Sequence, residues 1–235
     1  MKRNPLFLTF LLITGVLAGC TSSSEKEQAS QTRSATQTPA QTPADSNRQK
    51  TILFFGNSLT AGYGVDPAEA FPGRIGQRLD SLKLNYRVIN AGVSGETTAG
   101  GRSRVGWTLR QPVDIFVLEL GGNDGLRGLP LAATRQNLQA IIDTVRARSP
   151  QAQIVLAGMQ IPPNMGPDYT SEFRQIYPEL AKKNNLTLIP FLLEGVGGIP
   201  RLNQPDGIHP TPEGHKLVAE TVWKTLESLV RAQGV

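Results

Sequence analysis

Two histidines are all the imidazole this 235-residue chain contains, and both fall in one short stretch near its end. That stretch reads Pro205-Asp206-Gly207-Ile208-His209-Pro210-Thr211-Pro212-Glu213-Gly214-His215. An aspartate three residues before a histidine lets a single turn present both side chains, with the carboxylate on the imidazole. Such a pair fixes the ring tautomer and supports the imidazolium that forms when the ring takes a proton. A serine hydroxyl attacks a carbonyl only when a base removes its proton. Ser58, in Gly56-Asn57-Ser58-Leu59-Thr60-Ala61-Gly62-Tyr63, follows an apolar run directly. Acyl transfer by this route also needs donors for the oxyanion. Ser94-Gly95-Glu96-Thr97 offers backbone N–H at a glycine, with no side chain in the way, and Gly121-Gly122-Asn123-Asp124 offers the neutral Asn123 amide.

Each of these signals alone has a plain structural reading. A serine after a strand is commonly a helix cap, and Gly and Asn-Asp clusters are ordinary turns. Their convergence is what points to a Ser58–His209–Asp206 triad with Gly95 and Asn123 as oxyanion donors. His215 falls inside the last helix and reads as structural or surface. A metal centre on the two histidines is a poor reading, because prolines and a helix start between them spoil the chelate. Cys20 is the single cysteine, which excludes a cysteine metal site and an internal disulfide.

The elements that must position these residues alternate. Apolar runs at 51–55, 86–89, 114–120, 153–157 and 187–191 read as buried parallel strands. Helical spacing appears over 71–82, with Pro72 in the first turn, and over 131–148. Ser171 is placed to cap a third helix. Thr211 and Pro212 read as the cap and first residue of a last helix carrying Leu217, Val218, Val222, Leu226 and Leu229. Strand-helix alternation implies an α/β fold: a parallel sheet with right-handed crossovers and helices on both faces. Ligands of such sheets sit beyond the carboxyl ends of the strands, where Ser58, Gly95 and Asn123 all fall.

The first residues read as an address. Lys2 and Arg3 precede an apolar run over 6–17, and Leu17-Ala18-Gly19-Cys20 is similar to a bacterial lipobox. Residues 1–19 are therefore expected to be a lipoprotein signal, and Cys20 the lipidated residue that holds the protein to a membrane. Residues 20–49 are mostly Ser, Thr, Gln, Ala and Pro, a composition expected of a flexible linker reaching about 30 Å. Residues 50–235 suit one catalytic domain, with nineteen Lys and Arg against sixteen Asp and Glu. Its basic residues are scattered along the sequence without a stripe, so nucleic acid is a weak partner reading, while attraction to an anionic membrane stays open. The expected location is the cell envelope, and Thr21 after the cysteine points to the outer membrane, facing the periplasm, in a Gram-negative cell.

These blocks resemble the SGNH, or GDSL, hydrolases, which supply serine, glycine, asparagine and histidine in that order. The resemblance covers 51–223, and the nearest members are bacterial thioesterases, lysophospholipases and arylesterases. Leu118-Glu-Leu-Gly-Gly-Asn-Asp-Gly-Leu-Arg-Gly128, Ile176-Tyr-Pro-Glu-Leu-Ala-Lys182 and Asp206-Gly-Ile-His-Pro210 carry it. It implies a flavodoxin-like three-layer α/β/α sandwich, no cofactor and no metal. It also implies Ser58 as nucleophile with its own N–H in the oxyanion hole, alongside Gly95 and Asn123. One position departs: the family usually has Asp where this chain has Asn57. Short-chain esters, lysophospholipids and acyl thioesters all suit as substrates. A carbohydrate O-acetylesterase and a non-catalytic tethered binding protein are the alternatives. The stretch 161–169, rich in loop formers, reads equally as a pocket wall or as a surface connection. The sequence is silent on oligomeric state.

Overall fold

The computed structural model describes residues 48–233. The expected signal, Cys20 and nearly all of the expected linker lie outside the described residues. The chain enters on β1 (Lys50–Gly56), makes one short turn of helix, α1 (Ser58–Ala61), and returns along α2 (Phe71–Ser81) to β2 (Tyr86–Gly92). α3 (Thr98–Thr108) leads to β3 (Ile115–Glu119), and a second short helix, α4 (Gly122–Leu126), precedes α5 (Leu131–Arg148). Then come β4 (Gln153–Ala157), α6 (Pro167–Asn184), β5 (Thr187–Ile189) and the long α7 (Pro212–Gln233).

All five strands are parallel, in the order β2-β1-β3-β4-β5. α2 packs beside α7, and α3, α5 and α6 pack in succession, so two helical layers cover the sheet. Ile52, Phe54, Phe55, Ile115, Phe116, Leu118, Val155 and Leu156 are fully buried, as strands covered on both faces require. Removing each such side chain from water contributes roughly 1.5–3 kcal/mol. The strand register matters for the site. Gly56, the last residue of β1, lies between Gly92 of β2 and Glu119 of β3.

Both glycines are there because other atoms pass close by, backbone at Gly92 and chiefly side chains at Gly56. A Cβ on Gly92 would lie 2.2 Å from the Ala61 N of α1 and 2.8 Å from the Asn57 carbonyl oxygen. A Cβ on Gly56 would meet the Thr60 hydroxyl at 2.1 Å and the Glu119 carboxylate at 2.5 Å. The turn bearing Ser58 can therefore fold back over its own sheet edge only because two strand ends lack side chains.

The structure departs from the sequence reading in three places. The third helix begins at Pro167, with Asp168 in its first turn, so Ser171 sits inside it and caps nothing. β5 stops at Ile189, because Pro190 cannot donate a ladder hydrogen bond. α3 was not anticipated: its Thr-Ala-Gly-Gly-Arg-Ser-Arg-Val-Gly-Trp-Thr sequence has no apolar stripe. It packs through Gly101, whose missing side chain leaves room for Leu120 and Phe55.

Gly92→Ala should destabilise the domain by about 1–3 kcal/mol, the usual cost of overpacking against atoms that cannot move aside. Urea unfolding reads it, and a variant as stable as the wild type would show that α1 can yield.

Candidate active site

Ser58 opens α1 at the carboxyl end of β1. Asn57 caps that turn, its Oδ1 accepting from the Leu59 N–H at 2.9 Å. Gly62 closes it in the left-handed region (φ 76°) that favours glycine. Across the edge, Asp206 Oδ1 accepts from the Ile208 and His209 N–H groups, each at 3.0 Å, which winds the 206–209 turn around its own first side chain. The second carboxylate oxygen lies 2.7 Å from His209 Nδ1, and His209 Nε2 lies 2.9 Å from Ser58 Oγ. Burial opposes ionisation of Asp206, but the His209 ring and the two backbone donors outweigh it and hold the carboxyl down at about 2. The carboxylate is therefore charged throughout the neutral range, and His209 Nδ1 keeps its proton toward it. That tautomer leaves Nε2 free to accept from the serine.

The two halves are stapled together. Gln204 Nε2 donates to the Tyr63 carbonyl at 2.7 Å and to the Pro210 carbonyl at 3.1 Å, joining the end of α1 to the histidine turn. The Tyr63 ring lies against the His209 ring with centroids 4.6 Å apart.

Beneath the turn sits a group the sequence reading passed over. Glu119, 1% exposed, accepts from the Asn57 N–H at 3.1 Å, from Asn57 Nδ2 at 2.8 Å and from the Thr60 hydroxyl at 2.8 Å. Burial pushes its carboxyl up to about 7 even though all these donors favour the charged form. A carboxylate inside an apolar strand was the available signal, since a buried charge must find partners.

Asn123 lies on α4, and its amide donates to the Glu96 carbonyl at 2.9 Å. That bond aims the side chain and ties it to the loop carrying Gly95. Arg127 Nη2 holds the Gly95 carbonyl at 3.0 Å, and Gly95 itself has φ 78°. Among the described residues, neither the Ser58 nor the Gly95 N–H donates a hydrogen bond within the protein. Asp124, also unnoticed from sequence, is 2% exposed and gathers the Thr98 N–H at 2.8 Å, the Thr98 hydroxyl at 2.5 Å and the Thr134 hydroxyl at 3.4 Å. It therefore binds α4 to α3 and α5.

A cavity of about 380 Å³ opens beside Ser58, Asn123 and His209. Leu59, Leu126, Met159, Ile161, Phe191 and Ile208 give it a largely apolar wall. Gly95 is not among its lining residues. The stretch after β4 splits between the two roles left open for it: Ile161, Pro162 and Pro163 line the cavity, while the Tyr169 hydroxyl turns away to the Leu129 carbonyl. His215 is buried on α7, its Nδ1 accepting from the Phe71 N–H at 3.3 Å. Burial, then the neighbouring Arg74 and His209, depress its pKa to about 4, and it is not among the residues that line the cavity.

The profile of the GDSL-like lipase/acylhydrolase family matches residues 54–217. The chain is 40% identical to an esterase, TesA, of Pseudomonas aeruginosa over 182 residues, 77% of this chain and 90% of that one. It is 38% identical to the thioesterase 1/protease 1/lysophospholipase L1 of Escherichia coli K12 over 181 residues, 77% and 85% of the two chains. A crystal structure of TesA superposes with a TM-score of 0.73 at 40% identity, covering 77% of this chain and 99% of that one.

The two buried titrating groups act on stability with opposite sign. Folding raises Glu119 from 4.5 to about 7, so its contribution is lost as pH rises across that window. Folding lowers His215 from 6.5 to about 4, so its contribution is lost as pH falls through that one. Glu119→Gln should be destabilised at pH 5 and recover on the order of 2 kcal/mol relative to wild type by pH 7. Urea unfolding at the two pH values reads this, and a constant difference would mean that Glu119 does not titrate there. In Asn57→Asp a second carboxyl would stand where Asn57 Nδ2 now lies, 2.8 Å from Glu119. Two carboxyl groups so placed share one proton. The stability of that variant should keep falling above about pH 8, where Glu119 of wild type is fully ionised and its curve has levelled, and matching curves would remove the charge at residue 57 from the account.

Proposed function

The chain belongs to the GDSL-like lipase/acylhydrolase family, and we propose that Ser58, His209 and Asp206 are the triad with which it works. It is a serine hydrolase of ester bonds. The observation that carries the residue assignment is one unbroken line of contacts, 2.7 Å from Asp206 to His209 and 2.9 Å from His209 to Ser58, ending at an apolar cavity.

In the first half-reaction His209 Nε2 takes the Ser58 proton as Oγ bonds to the substrate carbonyl carbon. The carbonyl π electrons move to oxygen, and donors from Ser58 N–H, Gly95 N–H and the Asn123 amide receive that oxyanion. Collapse expels the alcohol or thiol, which leaves with the proton from His209, and an acyl-serine remains. Water then repeats the sequence, with His209 again as base, and releases the acid. Asp206 stays charged and holds the ring throughout. No cofactor or metal takes part in this scheme.

The substrates we assign are esters and thioesters with an acyl chain that fills the cavity, lysophospholipids among them. The apolar wall supports a chain longer than acetyl, and it offers few polar groups to an acetylated sugar. Relatives named as esterase and as thioesterase/lysophospholipase point the same way. We further assign the enzyme to the cell envelope, lipid-anchored at Cys20, on the strength of the apolar run, the Leu17-Ala-Gly-Cys20 block and the Ser/Thr/Gln/Pro segment after it.

Ser58→Ala should abolish hydrolysis of p-nitrophenyl esters and labelling by a fluorophosphonate probe, and the wild-type rate should peak at an acyl chain longer than acetyl. Retained turnover in Ser58→Ala would refute the nucleophile assignment. Asn123→Ala should slow kcat by about two to three decades, equivalent to about 3–4 kcal/mol of oxyanion stabilisation. A loss under about tenfold would take Asn123 out of the oxyanion hole.

A further inference from the structure

The domain has two unlike ends. Because every strand is parallel, all strands start at one edge and finish at the other, where the Ser58–His209 cavity opens. The described chain enters at the starting edge: Arg48 bonds Asp114 just before β3, and β1 begins at Lys50. β1 has seven residues, roughly 20 Å of rise, so the point of entry and the site stand about that far apart.

The starting edge is basic. Lys83, Arg110, Arg148, Lys182 and Lys183 lie in last helical turns or in the loops leading to strands, Arg87 is the second residue of β2, and all are exposed. None of them forms an ion pair among the described residues. Of the acids at this edge, Asp114 and Glu227 are engaged by Arg48 and Arg231, Asp80 is exposed, and Asp143 is exposed on a groove that Lys183 also lines. Near the opposite edge Asp66, Asp168, Glu172 and Glu194 stand exposed, but so do Arg127, Arg174 and Lys216, so the charge there is mixed. Cations suit helix C-termini and anions suit N-termini. In this fold every long helix runs against the strands, so the basic last turns of α2, α5, α6 and α7 gather at the starting edge. Two large apolar side chains stand among the cations: Leu82, 42% exposed, and Trp107, 67% exposed with the Arg110 guanidinium 4.3 Å from its ring centroid. A tryptophan beside an arginine suits the headgroup layer of a bilayer.

We propose that this starting edge is a docking surface for an anionic phospholipid bilayer, which seats the domain with its cavity facing away from that membrane. The choice of partner rests on the Cys20 anchor assigned above. An anchor followed by a linker of the expected reach lets either edge meet the membrane. The charge then selects the orientation: the basic edge is drawn to anionic headgroups, and the cavity edge, with cations and acids side by side, has no comparable excess to compete with it.

The test uses the lipidated full chain on vesicles of phosphatidylcholine, alone or mixed with phosphatidylglycerol, with brominated acyl chains as fluorescence quenchers. Trp107 is the exposed one of two tryptophans, Trp223 being 3% exposed on α7, so the difference between wild type and Trp107→Phe isolates its signal. Docking predicts Trp107 quenching on phosphatidylglycerol vesicles that falls severalfold on phosphatidylcholine alone, at high salt, or when the six basic residues are changed to Gln. Hydrolysis of a soluble p-nitrophenyl ester should be unchanged in that variant. Absence of quenching on phosphatidylglycerol vesicles overturns the proposal. So does quenching of Ile208→Trp, in the Trp107→Phe background, in place of Trp107, because the cavity edge would then face the bilayer. Flotation with phosphatidylcholine vesicles reads the anchor by itself. A chain that fails to float there refutes the anchor, and quenching on anionic vesicles still decides the docking.

Discussion

Glu119 closes a strand in which every other side chain is apolar, and its carboxyl group has no water to turn to. A group in that position must collect donors or be protonated, and the donors within reach belong to one segment, Asn57 to Thr60. Satisfying the carboxyl therefore draws the turn that bears Ser58 down onto the end of β3. The same demand empties Gly56 of a side chain, since a Cβ there would collide with the carboxylate it sits beside. In this chain residue 57 presents an amide, which donates to Glu119 through Nδ2 and accepts from Leu59 through Oδ1. A carboxylate in its place could do the second task and would oppose the first.

Asp124 repeats the arrangement one turn further along the edge. It gathers donors from α3 and α5 and so fixes α4, whose Asn123 amide in turn bonds the loop of Gly95. The nucleophile and the oxyanion donors thus stand on two buried acids, Glu119 tying the Ser58 turn to β3 and Asp124 tying α4 to α3 and α5. Their geometry is a property of the sheet edge, and the loops that bear them are not free to wander from it.

How much of this was legible in sequence depended on range. A continuous apolar run such as Gln153–Ala157 and a helical period such as that of Leu131–Arg148 announce themselves because burial imposes both patterns. Asp206 and His209, three residues apart, were readable for the same local reason. α3 was not, because its packing is made by absent side chains, and a glycine chosen for closeness looks in sequence like a glycine chosen for a turn. The start of α6 was hidden by Pro167, which reads as a loop former and serves here as a first helical residue. Glu119 and Gln204 act across 62 and 141 residues of sequence, distances over which no spacing rule operates. The basic edge was missed likewise: its residues are scattered along the chain, and only the parallel topology gathers them.

The histidine and its aspartate come on one turn, stranded between the last strand and the last helix, while Ser58, Gly95 and Asn123 all precede β4. A cut in the loop after β5 would therefore divide the chemistry cleanly: one fragment would carry an idle hydroxyl and its oxyanion donors, the other a pre-oriented base with nothing to act upon. Ester cleavage would return only when the two pieces met, with α7 packing beside α2 and Gln204 reaching Tyr63. The fold thus has the makings of a split reporter, in which colour from a chromogenic ester signals that two tethered partners have come together.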